Sequence, residues 1–170
     1  MAKIIVGTQI VDDTWTLVRE DNAPLPAGDV IVSLARYQAE KADLLARGTK
    51  LGVWLQPSDE PEALASEFAH LALIAVDFPA FRDGRGYSTA WLLRSRYGWT
   101  GELRAIGDVL RDQMFFYKRV GFNAYAVRED KDIEEALIGL NDFSDVYSGS
   151  IDQPIPLFRR REAQSKAASA

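Results

Sequence analysis

From Leu51 onward the chain alternates short, nearly unbroken apolar runs with stretches whose apolar residues recur every three or four positions. The runs are Leu51–Leu55, Leu73–Phe78, Glu102–Gly107 and Ala124–Val127. Each predicts a strand buried on both faces, which has no solvated side on which polar residues can alternate. Between them, Asp59 with Pro61 and Glu62 predicts a helix start whose apolar face Phe68 and Leu71 complete. Ser88 predicts the cap of a helix carrying Ala90, Leu93 and Tyr97 and stopping at Gly98. Asp108 predicts the cap of another, with Leu110, Met114 and Tyr117, ending at Gly121, and Asp132 with Glu135 opens a last helix through Leu140.

Upstream, Val30–Val32 is a short β-branched run, followed by a helical pattern with Tyr37, Leu44 and Leu45 on one face and a stop at Gly48. Residues 3–20 predict a β-hairpin or two short strands around Gly7 and the Asp12, Asp13 pair, and residues 21–29, with Pro24, Pro26 and Gly28, a loop. The succession predicts an α/β fold: a parallel sheet of about four or five βα units, half-barrel-like or open and twisted, preceded by the N-terminal hairpin. Residues 1–158 are read as one domain and 159–170 as a flexible tail without apolar periodicity. An incompletely closed sheet leaves an edge or face that a second copy would cover, so a homodimer is expected.

Composition narrows the chemistry. At 170 residues and 47% hydrophobic, the chain suffices for one compact core. Its formal charge of -5 disfavours nucleic acid and anionic membrane as partners. No run approaches the ~18 apolar residues a membrane helix needs, and the N-terminus does not read as a secretory signal, so a cytoplasmic location is expected. The chain has no cysteine and one histidine. Thiolate nucleophiles, disulfides, iron–sulfur clusters and a conventional zinc site are thereby excluded, while an oxygen-ligated cation near Asp77, Asp83 and Asp108 stays open. His70 is read as structural.

In parallel α/β sheets, ligands bind at the carboxyl ends of strands, and charged residues collect there: Asp77 and the turn Asp83–Ser88, then Asp108 to Asp112, then Arg128 to Asp130. The turn DGRGYS combines two glycines, flanking arginines and a helix N-terminus, a donor set suited to an anion. Its anion-binding residues are Arg82, Asp83, Arg85, Gly86 and Ser88, joined by Arg111. Equally, Gly84 and Gly86 shape a turn while the arginines pair with Asp83 and Asp108. The glycine pattern lacks the last glycine of a dinucleotide fingerprint, with Thr89 instead, so no cofactor follows from it. Asp108, Arg111 and Tyr87 are the candidate catalytic groups, with a helix cap the competing role for Asp108. Arg111 needs a carboxylate or a bound anion, because a cation in a first helical turn opposes the macrodipole.

The stretch from Phe78 to Tyr125, with DGRGYS and GELRAIGDVLRDQ at its centre, resembles the core of a bacterial family of unknown function. The likeness extends to VDDTW, VIVSLARY, LGVWLQPSDEPEAL and LNDFSDVY, nearly the whole chain before the tail. Members of that family are described as oxidoreductases involved in sulfite reduction, and their genes neighbour those of assimilatory sulfite reductase. The resemblance implies an accessory or enzymatic protein of assimilatory sulfate and sulfite reduction, with reductase components as partners and a small oxyanion as ligand. The catalytic subunit itself is excluded, since sirohaem and its cluster need cysteine thiolates. The alternative is a non-catalytic interaction module supporting the reductase, in which the same arginines and aspartates form an internal ion-pair network.

Overall fold

The computed structural model describes residues 2–168. Eight strands form one sheet: β1 (Lys3–Val6), β2 (Gln9–Asp12), β3 (Thr16–Leu17), β4 (Val30–Ser33), β5 (Leu51–Leu55), β6 (Leu73–Phe78), β7 (Glu102–Gly107) and β8 (Ala124–Tyr125). The helices are α1 (Leu34–Ala46), α2 (Arg85–Ser95), α3 (Met114–Arg119), α4 (Ile133–Gly139) and α5 (Leu157–Ala168).

The strand order is β2-β1-β8-β7-β6-β5-β4-β3. β3 to β8 run parallel in chain order, whereas β1 is antiparallel to both β2 and β8. The sheet is therefore mixed, which corrects the expectation of a parallel one: the N-terminal hairpin adds itself to the edge at β8 instead of standing before the sheet.

This order sets the curvature. β2 and β3 lie on opposite edges, yet only Asp13, Thr14 and Trp15 connect them. In a flat eight-stranded sheet at ~4.8 Å per strand the edges would stand roughly 33 Å apart, while four Cα steps of ~3.8 Å span at most about 15 Å. The sheet must curl into a half-barrel, with the three residues drawn across its open side.

The two faces hold different cores. Outward, Val53, Ile74, Val76, Phe78, Leu103, Ala105 and Tyr125 pack with helical side chains such as Tyr37, Leu44, Leu93 and Tyr117 in one large cluster. Inward, Ile31, Trp54, Leu73, Ala75 and Ile106 form a smaller one, joined by Trp15 and Leu17. Inward-facing Arg104 on β7 is 2% exposed and is held by Asp13 of the connection (3.0 Å) and by Glu102 (2.7 Å). A buried guanidinium needs such partners to offset lost hydration.

Several local expectations change. Residues 59–71 form two 3-10 turns, Pro61–Leu64 and Phe68–His70, not a helix, and the Asp59 carboxylate accepts from Gln56 N–H instead. Leu64 and Leu71 still reach the core from those turns. Leu45 is exposed, off the buried face of α1, which Ser33 caps by accepting from Arg36 N–H. Ser88 caps nothing: α2 begins at Arg85, so Ser88 lies exposed within its first turns. Residues 157–168 are helical despite their lack of apolar periodicity. Asp132 does cap α4, its carboxylate accepting from the N–H groups of Glu134 and Glu135.

Candidate functional site

The carboxyl ends of the parallel strands open on a charged cleft at the mouth of the half-barrel. One cavity of about 470 Å³ is bounded by Lys3, Asp13, Arg19, Arg128, Glu129 and Lys131. A second, of about 460 Å³, shares Arg19, Gly107 and Arg128 with it and adds Asp77 and Asp108. Both lie where parallel α/β sheets hold ligands, because strand ends there release loops and side chains toward one side.

Asp77 points inward from the end of β6, next to a backbone feature that only glycine allows. Gly107 has φ 93, and a Cβ there would stand 2.4 Å from the Phe78 carbonyl oxygen and 2.8 Å from Asp77 Oδ1. Arg19, just past β3, donates from Nη1 to Asp77 Oδ1 at 2.8 Å and lies over the Trp54 ring, 5.1 Å from its centroid. Trp54 is itself fixed by donating from Nε1 to the Val18 carbonyl oxygen (3.0 Å). The guanidinium is thus held by one nitrogen and by its face, which suits a planar cation on an indole. Its Nε and Nη2 have no described partner, and the side chain is 43% exposed.

Arg128 is the opposite case. Nη1 donates to Asp108 (2.6 Å), while Nε and Nη2 grip Asp130 (2.6 and 2.9 Å). The guanidinium holds the Asp130 carboxyl down to about 2, and Asp130, then Asp108, raise the pKa of Arg128. Every nitrogen able to donate in that fork is engaged. Asp108 accepts in addition from Phe81 N–H (2.8 Å), and its own N–H donates to the Phe78 carbonyl oxygen (2.7 Å). It is a staple between loops, not the helix cap expected: the turn beginning at Arg111 has no side-chain cap.

The DGRGYS turn resolves into local pairings. Asp83 accepts from Arg85 N–H, Nε (2.9 Å) and Nη2 (2.7 Å), which raises the pKa of Arg85 and lowers that of Asp83. Gly86 is buried where a Cβ would stand 2.6 Å from Phe78 Cζ, so its role is close packing of α2 on the sheet. Arg111 donates to both oxygens of Asp142 (3.0 and 2.8 Å), the carboxylate its position called for. Arg82 is exposed and has no carboxylate partner among the described residues. Tyr87 stacks on Tyr117 at 5.2 Å; burial raises the pKa of both phenols, so each stays protonated at neutral pH. Gln113 ties this pair to the mouth, accepting from Tyr117 O–H (2.9 Å) and donating to the Phe81 carbonyl oxygen (3.2 Å).

Of the candidate catalytic and anion-binding residues, only Asp108 lines the mouth, beside Asp77, Arg128 and Glu129 from the other charged strand ends. Tyr87 faces a cleft between α2 and α3 of about 450 Å³, Arg85 and Arg111 each close on a carboxylate of their own, and Ser88 is exposed on α2. Asp77, Asp83 and Asp108 belong to no group of three or more metal-ligating side chains among the described residues. Sequence reasoning missed Arg19, Trp54, Asp13 and Arg104. Arg104 left a signal, a charge in the interior of a strand whose other interior residues are apolar; Arg19 left none, since its partner is 58 residues away.

Residues 52–158 match the family model described as "Bacterial protein of unknown function (DUF934)". No curated protein matches the chain.

Proposed function

Since the chain belongs to the DUF934 family of bacterial proteins of unknown function, which assigns it no reaction, we propose from the site's chemistry that it binds a small oxyanion at the half-barrel mouth. The observation that carries this reading is the Arg19 fork, positioned by Asp77 and Trp54 with two donor nitrogens directed to no acceptor among the described residues. A fixed guanidinium with unused donors matches two oxygens of one anion and has lost little freedom in doing so. Lys3 and Lys131 add positive charge to the same cavity wall. Together with the family likeness, this supports a role in assimilatory sulfate and sulfite reduction, with sulfite as the oxyanion of first choice. The role is accessory or enzymatic within that chemistry, with oxyanion binding as its first step.

Titration calorimetry with sulfite, and with phosphate as the control anion, tests it. Sulfite binding is expected, is lost in Arg19→Ala and persists in Arg85→Ala and Arg111→Ala. Binding that instead disappears in Arg85→Ala would move the site to the DGRGYS turn. A second reading, non-catalytic support of the reductase, is favoured by the closure of Arg85 on Asp83 and of Arg111 on Asp142. It stands if no oxyanion binds while Arg19→Ala still impairs growth on sulfate as sole sulfur source.

A further inference from the structure

Away from the mouth, α2, α3 and the turn before α2 expose aromatic side chains that the packing of one chain does not use. Phe81, Trp91 and Phe116 are 51%, 46% and 55% exposed. They border two clefts, one with Phe81 and Phe116, the other with Trp91, and both share Tyr87 and Val120, so the apolar surface is continuous. Large aromatics gathered in one exposed patch mark an interface more often than chance exposure does.

The charges at this patch say what covers it. Arg82 follows Phe81 in the chain and has no carboxylate partner among the described residues. Asp112 lines the cleft that Phe81 borders; its side chain is 80% exposed and its one described contact is a distant 3.9 Å approach from Arg111. The patch therefore has beside it, next to Phe81 in the chain, one cation without a carboxylate partner among the described residues, and on its cleft one nearly unsatisfied anion. A partner of single charge sign would match one of them and repel the other. A second copy related by a twofold axis can match both, because in such an interface a contact between Arg82 and the partner's Asp112 is made twice. We propose that the α2–α3 face, with Phe81, Trp91 and Phe116 at its centre, is the interface of a twofold homodimer in which Arg82 pairs with the partner's Asp112.

Sedimentation velocity of the full chain over a dilution series tests this. The wild type is expected at twice the 19.0 kDa chain mass, and Trp91→Glu and Phe116→Glu at the mass of one chain. Arg82→Asp and Asp112→Arg, both at exposed positions, are each expected to weaken association by about tenfold, and the double swap to restore it. A wild type at the single-chain mass throughout overturns the proposal. So does a dimer indifferent to Trp91→Glu and Phe116→Glu, which would place association elsewhere, and so does a double swap that fails to recover the dimer. Unchanged far-UV circular dichroism in each variant ties a change of mass to the interface and not to unfolding.

Discussion

Arg19 and Asp77 meet at 2.8 Å although 58 residues separate them, one standing just past the edge strand β3 and the other at the end of β6. The contact exists because the curled sheet brings the strand ends around one opening. Replacing Arg19 by Ala removes a half-exposed ion pair and a cation over Trp54, so the stability cost is small, about 1 kcal/mol by denaturant titration. The loss of oxyanion affinity is expected to be much larger, at least about tenfold, because charge-assisted donors lose their full contribution when deleted. Equal losses in both measurements would make Arg19 a structural residue only.

Arg104 differs through burial. Arg104→Ala strands Asp13 and Glu102 without their cation, and breaking a buried pair from one side costs about 3 kcal/mol. Arg104→Met, which keeps the volume, is expected to recover part of it. Arg85→Ala, whose exposed guanidinium pairs among the described residues with Asp83 alone, is expected to leave the unfolding midpoint where it was.

The glycines separate packing from ligand approach. Gly86→Ala forces a methyl against the Phe78 ring and is expected to cost about 1–3 kcal/mol. Gly107→Ala is worse, combining a left-handed backbone with contact against the Phe78 carbonyl and Asp77, and it should also disturb the mouth. Gly84→Ala, with φ -86 and an added methyl in ordinary contact, 3.9 Å, with Tyr87 Cδ2, is expected to be nearly neutral. If Gly84→Ala unfolded the chain as readily as Gly86→Ala, this assignment would fail.

Acid sensitivity follows from two carboxylates. Glu67 is lowered by hydrogen bonds from Lys41 and Tyr37, and Asp130 is held at about 2 by Arg128. Both folded pKa values lie below those of the unfolded chain. Their contributions are therefore complete above the ordinary carboxylate range and are lost as pH falls through the folded values. Carboxyl carbon shifts followed by NMR should show Asp130 titrating near 2 and Glu67 below the unperturbed glutamate range, while Arg128→Leu raises Asp130 toward the ordinary range, with Lys131 still holding it somewhat low.

The parts of the fold legible in sequence were those fixed locally. β5, β6 and β7 stand out as apolar runs, and Asp132 as the cap of α4, because burial on both faces and capping act within a few residues. The mixed sheet was not legible: nothing in Lys3–Val6 says that its partner is Tyr125 of the last strand rather than an earlier strand. Residues 59–71 misled because apolar spacing is satisfied equally by two tight turns and by one helix, and tertiary contacts choose. The charged strand ends were visible as a class, but which guanidinium stays open at the mouth depends on partners such as Asp142 and Asp130, far from the turn or placed by it. Arg104 was the readable exception.

Asp13, Thr14 and Trp15 act as a tether whose length sets the bore. Because they alone join the edge strands β2 and β3 across the opening, and Arg104 pins the tether from beneath, the cleft's diameter is written into three residues. Every residue inserted there would let the rim spread by up to about 3.5 Å, whereas loops on the helical side can lengthen without changing what the mouth admits.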